Sequence, residues 1–176
     1  MLLLQGITIG GIQVPSREPQ FIATVAVHVV AGLVATVAGA ATMLAPKAPG
    51  QHPRNGTLYF WALAVVCITM GVLAILQWPA DNELAALGIL AFASAFVGRY
   101  ARRHSWSRWP MMHIPGMSAS YVFLLTAFYV DNGPHLPVWR RLPTIAYWVL
   151  PAAMGLPLMI RAVWKYRNAD RAPIAS

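Results

Sequence analysis

Acidic residues are scarce in this chain: it has five Asp and Glu in 176 residues, and charged residues of either sign make up 10%. A soluble domain carries about 25% charged residues, so a conventional water-facing surface is excluded. Cysteine is scarcer still. The single Cys67 rules out an intramolecular disulfide and leaves the redox compartment unread; inside an apolar stretch it reads as a small packed residue. There is no GxSxG elbow, no HExxH, no glycine-rich phosphate loop before a Lys-Ser/Thr pair, and no pair of carboxylates on one helix. The common hydrolase, zinc-protease and nucleotide-binding signatures are therefore missing. No repeat of fixed period is visible, and an odd number of apolar stretches argues against a simple inverted-repeat transporter.

What the chain has in abundance is apolar length. Hydrophobic residues make up 58%, gathered into five stretches at residues 21–44, 57–78, 84–100, 113–130 and 142–163. A helix needs about 20 largely apolar residues to cross about 30 Å of hydrocarbon, and four stretches approach or meet that length. The third is uninterrupted only to Gly98 and reaches full length if Arg99 lies at the interface or snorkels to it. The expected fold is all-α: one integral membrane bundle of five transmembrane helices over residues 1–176, with no room for a separate soluble domain. The longest polar segment, residues 99–110, reads as a loop. The opening residues 1–15 are apolar but lack a basic start and are interrupted by Gly6, Gly10 and Gly11. That run is too short to span and a poor signal peptide, so it reads as an interfacial segment.

Charge sets the expected orientation. With five spans, Arg17, Arg140 and Arg141 fall on the side of the N-terminus. Lys47, Arg54, Arg99, Arg102, Arg103, Arg108, Arg161, Lys165, Arg167 and Arg171 fall on the other side. Ten basic residues against three in short loops place the richer side in the cytoplasm. The N-terminus is then outside, the C-terminus inside, and an inner bacterial membrane is the expected location. The net charge of +8 accordingly means topology and contact with anionic lipid headgroups on the cytoplasmic face. Nucleic-acid binding is a poor reading, because these residues are juxtamembrane. Trp61, Trp78, Trp106, Trp109, Trp139 and Trp164 lie near span ends, where amphipathic rings prefer the headgroup level; Trp148 sits deeper.

Small residues mark the expected packing faces. His28, Gly32, Ala35 and Gly39 recur at helical spacing in the first span, and Gly88, Ala91, Ala95 and Gly98 in the third. Such faces let helices approach closely in lipid. The fifth span carries Pro143, Pro151 and Pro157 with Gly155, which predicts a bent helix whose bend serves packing ahead of cavity lining.

Histidine is the residue type that could carry chemistry. His52, His104 and His113 map to the cytoplasmic side, interleaved with Arg54, Arg99, Arg102 and Arg103. Neutral imidazole ligates zinc, copper or haem iron and suits proton transfer, so these three histidines form a candidate metal or cofactor site with Arg54 and Arg103. Their spacing is looser than any compact metal motif, and interfacial residues meeting headgroups and water weigh equally. His28 lies about two helical turns into the membrane, where an ionisable residue is a functional hypothesis by default. Its candidate partners are Gln77, Tyr129, Asp131 and His135; the plain alternative is a neutral ring bonded to serine, threonine or a carbonyl. Met111, Met112, His113 and Met117 hint at copper(I), although methionine also fills gaps. The run Asp131-Asn132-Gly133-Pro134 reads as a tight external turn with positive φ at Asn and Gly.

The segments His28-Val29-Val30-Ala31-Gly32 and His52-Pro53-Arg54-Asn55-Gly56-Thr57-Leu58-Tyr59 resemble a family of bacterial predicted multi-span membrane proteins of unknown function. The block His113 through Leu142 is also similar to segments in that family, whose usual loop has His-Arg before a glycine and an aromatic; here Pro53 separates His52 from Arg54. The resemblance implies a compact helical bundle with histidines at both faces and no established activity. By analogy the chain also looks like b-type membrane cytochromes, which hold haem between histidines with arginines near the propionates. The deep histidine pairs of that pattern are absent, since only His28 lies clearly inside a span. The leading expectation is a small histidine-containing membrane protein that binds haem b or another redox cofactor for electron transfer within the membrane. One alternative is a non-catalytic accessory subunit packed on a larger membrane complex or a homo-oligomer. Another is a metal- or proton-linked transporter using His28.

Overall fold

A computed structural model describes residues 7–9, 12–14, 18–47, 49–76 and 82–169. Five helices form: α1 (Pro19–Leu44), α2 (Gln51–Leu76), α3 (Asn82–Arg103), α4 (Pro110–Asn132) and α5 (Thr144–Ala169). Each is long and apolar enough to cross a membrane, so the chain is an integral membrane protein by length and composition. The third span is not short. Its helix has 22 residues, about 33 Å at about 1.5 Å per residue, because Arg99 through Arg103 continue it. Ahead of the helices, β1 (Ile7–Ile9) pairs antiparallel with β2 (Ile12–Val14), Ile9 opposite Ile12. Part of the apolar opening run is thus a hairpin, a feature the all-helical expectation did not contain.

Local chemistry explains the helix ends. Pro19 and Pro110 open α1 and α4 at the first turn, where a missing N–H costs nothing. Lys47 closes α1 by donating from Nζ to the carbonyls of Thr42 and Met43, both at 2.9 Å, and its positive charge suits that end of the helix dipole. Pro53 does not keep His52 and Arg54 in a loop. All three lie in the opening turns of α2, where Pro lacks only a donor that has no partner there. α3 carries Glu83 in its first turn and Arg102 and Arg103 in its last, again matching the dipole. It ends with Ser105 at φ 47°, the Trp106 N–H reaching back to Ala101 O and the Ser105 N–H to Arg102 O, which is a Schellman closure.

The chain divides into two compact units, Met1–Ala85 and Ala86–Ser176. In the first, α1 packs along α2. Ala31, Ala35, Ala38 and Gly39 are the buried face of α1, with Tyr59, Leu63, Val66, Met70 and Leu73 buried on α2. Helices in lipid gain nothing from hydrophobic exclusion, so close contact of small residues supplies the attraction.

In the second unit the expected small face of α3 is buried at Ala91, Ala95 and Gly98. Gly98 meets Gly116 of α4 backbone to backbone: a Cβ on Gly116 would stand 2.7 Å from Ser94 O and 2.9 Å from Gly98 Cα. α5 runs unbroken past Pro151 and Pro157, and Gly155 lies against Val122 of α4, so this stretch serves packing. Between α4 and α5 stand two 3-10 turns, Gly133–His135 and Trp139–Arg141. The expected positive-φ turn is corrected here: Asn132 has φ −99° and Gly133 φ −52°. Gly133 is needed for space, since its Cβ would stand 2.7 Å from the Tyr147 ring.

Candidate functional site

Helical spacing puts His28 four residues before Gly32 and on the inward face of α1, half-buried against α2. Its Nδ1 lies 2.9 Å from Thr69 Oγ1. The Thr69 hydroxyl is directed at its own helix, 2.8 Å from Val65 O and 3.0 Å from Val66 O. A hydroxyl has one proton. With that proton donated to the Val65 or Val66 carbonyl, Thr69 accepts from His28 Nδ1–H and Nε2 carries the lone pair; in the other tautomer Thr69 donates to Nδ1. The inward orientation expected of His28, Ala35 and Gly39 holds, whereas Gly32 has no neighbour within 4 Å of its Cβ position and Ala31 is buried in its place. The partner is of the kind the plain alternative named, a threonine: Thr69 bonds it, while the named candidate Gln77 lies outside the described residues. Tyr129 stacks on Trp139 with centroids 4.3 Å apart, Asp131 accepts from Asn132 Nδ2 at 3.2 Å, and His135 is exposed in the first 3-10 turn.

The other expected site residues are placed as follows. His52, half-buried in the first turn of α2, donates from Nδ1 to Thr42 O at 2.9 Å. Lys47 Nζ stands 3.4 Å from the same nitrogen. Because Nδ1 already bears a proton, that pair is a contact and not a bond. Burial lowers the Lys47 pKa from its usual value of 10.5. Arg54 is exposed two residues further on. His113, in the first turn of α4, donates from Nδ1 to Gly98 O at 3.0 Å, on the same glycine whose N and Cα meet Gly116. His104 and Arg103 are exposed at the end of α3. The His104 ring stacks on Tyr100 at 4.0 Å, and Arg102 lies over the Trp109 ring at 4.1 Å.

His52 and His113 each donate Nδ1–H to a carbonyl on the adjacent helix, which fixes the tautomer and gives Nε2 the lone pair. His28 shares that state in the tautomer that donates to Thr69. Nε2 can then ligate a metal or accept a proton. His104 and His113 belong to the second unit and His52 to the first. Among the described residues, no group of three or more His, Cys, Asp or Glu side chains is arranged to hold a metal ion. The sequence reading did not find Thr69 or Gly116. Thr69 sits 41 residues from His28, and only the α1–α2 register joins them; Gly116 was signalled by being a glycine inside an apolar helix.

Fold and site define a small polytopic membrane protein in which imidazoles bond between neighbouring helices. Comparison of the chain with protein families, with curated proteins and with solved structures finds no match.

Proposed function

We propose that this chain is a bacterial inner-membrane protein that binds a redox cofactor, haem b foremost, and passes electrons within the membrane. Its N-terminus lies outside and its C-terminus in the cytoplasm, a reading supported by ten basic residues against three. The observation that carries the function is the state of the His28 ring. A metal-bound histidine almost always donates its other N–H to an oxygen, which sets the tautomer and raises ligand basicity. In its Nδ1–H tautomer His28 makes that bond to Thr69 within a membrane-crossing helix, and His52 and His113 make it to carbonyls. The donor chemistry of these residues therefore fits haem iron.

His28 would hold the iron through Nε2. His52 bonds Thr42 O, which lies about 21 Å along α1 from His28 at about 1.5 Å per residue, so His52 does not share that iron. His52 with Arg54 in the first unit, and His104 and His113 with Arg103 in the second, are separate candidate imidazoles and cations. Bound haem supplies one-electron chemistry. The protein's own part is to hold each ring in one tautomer and, through the apolar α1–α2 contact, to keep water from His28. The test is haem content and a reduced-minus-oxidised spectrum of membranes holding wild type, His28→Leu or Thr69→Val. Haem lost with His28→Leu and reduced with Thr69→Val, at unchanged helicity, supports the reading. Equal haem content in all three ends it for His28.

A second reading rests on a different aspect of the same bonds. Each of the three bonded histidines joins two helices, and that packing role needs no cofactor. On this reading the chain is an accessory subunit of a larger membrane complex or a homo-oligomer. Colourless, monodisperse protein that copurifies with a partner is its expected signature.

A further inference from the structure

Away from the histidine bonds, the α1–α2 hairpin carries an open apolar groove of about 360 Å³, lined by Leu33, Val37, Ala38 and Ala41 of α1 with Asn55 and Leu58 of α2. Leu33, Val37 and Leu58 are 66%, 61% and 52% exposed, so the groove opens outward. Leu33, Val37 and Ala41 recur every four residues and form a ridge along the helix, with Leu58 opposite. The groove is open along one side, so an occupant lies in it lengthwise. A single hydrocarbon chain fits.

We infer that this groove seats one acyl chain of an anionic phospholipid whose phosphate meets Lys47 and Arg54. Shape alone does not select a lipid here, because a lipid tail is as apolar in the bilayer as in the groove. Charge does. Arg54 precedes Leu58 by four residues and so stands on the same face of α2, one turn beyond the groove. Lys47 commits two donors to Thr42 O and Met43 O. Its contact with His52 Nδ1 is with a protonated nitrogen, so one N–H is left for an acceptor from outside. No Asp or Glu occurs between Glu18 and Asp81, so the hairpin itself supplies no carboxylate to balance these two cations. A lipid phosphate at the mouth of the groove does so, and its chain follows the ridge downward. The inference shares Arg54 with the cofactor reading, but lipid labelling reads the groove and haem content reads His28, so either can fail without the other.

The test uses the full chain in phosphatidylcholine vesicles containing a trace of either phosphatidylglycerol or phosphatidylcholine with a photoactivatable acyl chain, with cross-links mapped by mass spectrometry. Phosphatidylglycerol is expected to label the peptides holding Leu33, Val37 and Leu58 more than phosphatidylcholine does. Arg54→Gln should lower that excess about fivefold, and Arg54→Gln with Lys47→Gln about twenty-five-fold, as about fivefold per basic residue implies. Ala41→Trp, which fills the groove, should remove labelling by both lipids. Equal labelling by the two lipids, an excess unchanged in the double variant, or cross-links to a protein chain at this face would overturn the inference. Arg54→Gln alters an exposed side chain that caps no helix among the described residues, so the result hangs neither on the folding of Ala41→Trp nor on the α1 closure that Lys47→Gln removes.

Discussion

Replacing Gly116 by alanine should weaken the second unit, and the geometry supplies the sign. The added Cβ would stand 2.7 Å from Ser94 O, 2.9 Å from Gly98 Cα and 3.0 Å from Gly98 N. All three are backbone atoms, so no side chain can swing away. Carbon atoms rest about 3.5–4.0 Å apart, so α3 and α4 must separate by about 0.6–1 Å. A gap of that size forfeits a quarter to a half of each dispersion contact, and overpacking of this kind costs about 1–3 kcal/mol. Separation also stretches the bond from His113 Nδ1 to Gly98 O, now 3.0 Å, a bond contributing about 0.5–1.5 kcal/mol. Alanine offsets about 1 kcal/mol through its better helix propensity, leaving a net loss of about 0.5–3.5 kcal/mol. Gly32 is the control: nothing lies within 4 Å of its Cβ position, so Gly32→Ala should be neutral or stabilising by up to about 1 kcal/mol. Unfolding of the full chain by SDS in mixed micelles, followed by circular dichroism, measures both. Gly116→Ala as stable as wild type, or the same response from both variants, would refute the backbone crossing.

Three further outcomes follow from the same structure. A double-mutant cycle over His28→Leu and Thr69→Val should give a coupling of about 0.6–1.7 kcal/mol, the range of interhelical bonds in membranes; a coupling of zero would remove the bond. In intact cells, a cysteine at Ala175 should resist a membrane-impermeant thiol reagent and one at Asn82 should react, and reversed labelling would overturn the orientation. Lys47 has a folded pKa below its usual 10.5, so just below pH 10.5 the unfolded chain binds more protons. Stability should then rise with pH as Lys47 deprotonates in the fold, and Lys47→Gln should abolish that share of the rise in micelle unfolding curves.

Much of this architecture was legible in the pattern of apolar length, because hydrocarbon thickness imposes it directly. The inward faces of α1 and α3 were legible for the same kind of reason: small residues at helical spacing have few other uses in lipid. Helix ends were less so. His52, Pro53 and Arg54 are polar or helix-breaking by type, yet proline is harmless in a first turn and charged residues simply carry a helix out of the bilayer. The same holds for Arg99 through Arg103. Gly133 was misread because a glycine in a turn-like run suggests positive φ, whereas the Tyr147 ring explains it. Ile7–Ile9 and Ile12–Val14, with Gly-Gly between them in sequence, carry the signal of a two-residue hairpin connection, and apolarity masked it. The Thr69 partner of His28 depends on the register of two helices, which no local pattern encodes.

The central claim is that His28, bonded through Nδ1 to Thr69, serves a redox cofactor. The most direct measurement is the absorption spectrum with metal analysis of the purified full chain, before and after dithionite. The account predicts a Soret band that shifts on reduction, with iron in proportion to protein. Colourless protein without bound metal, purified from cells supplied with iron and haem precursor, would contradict it and leave His28 as a bond between two helices.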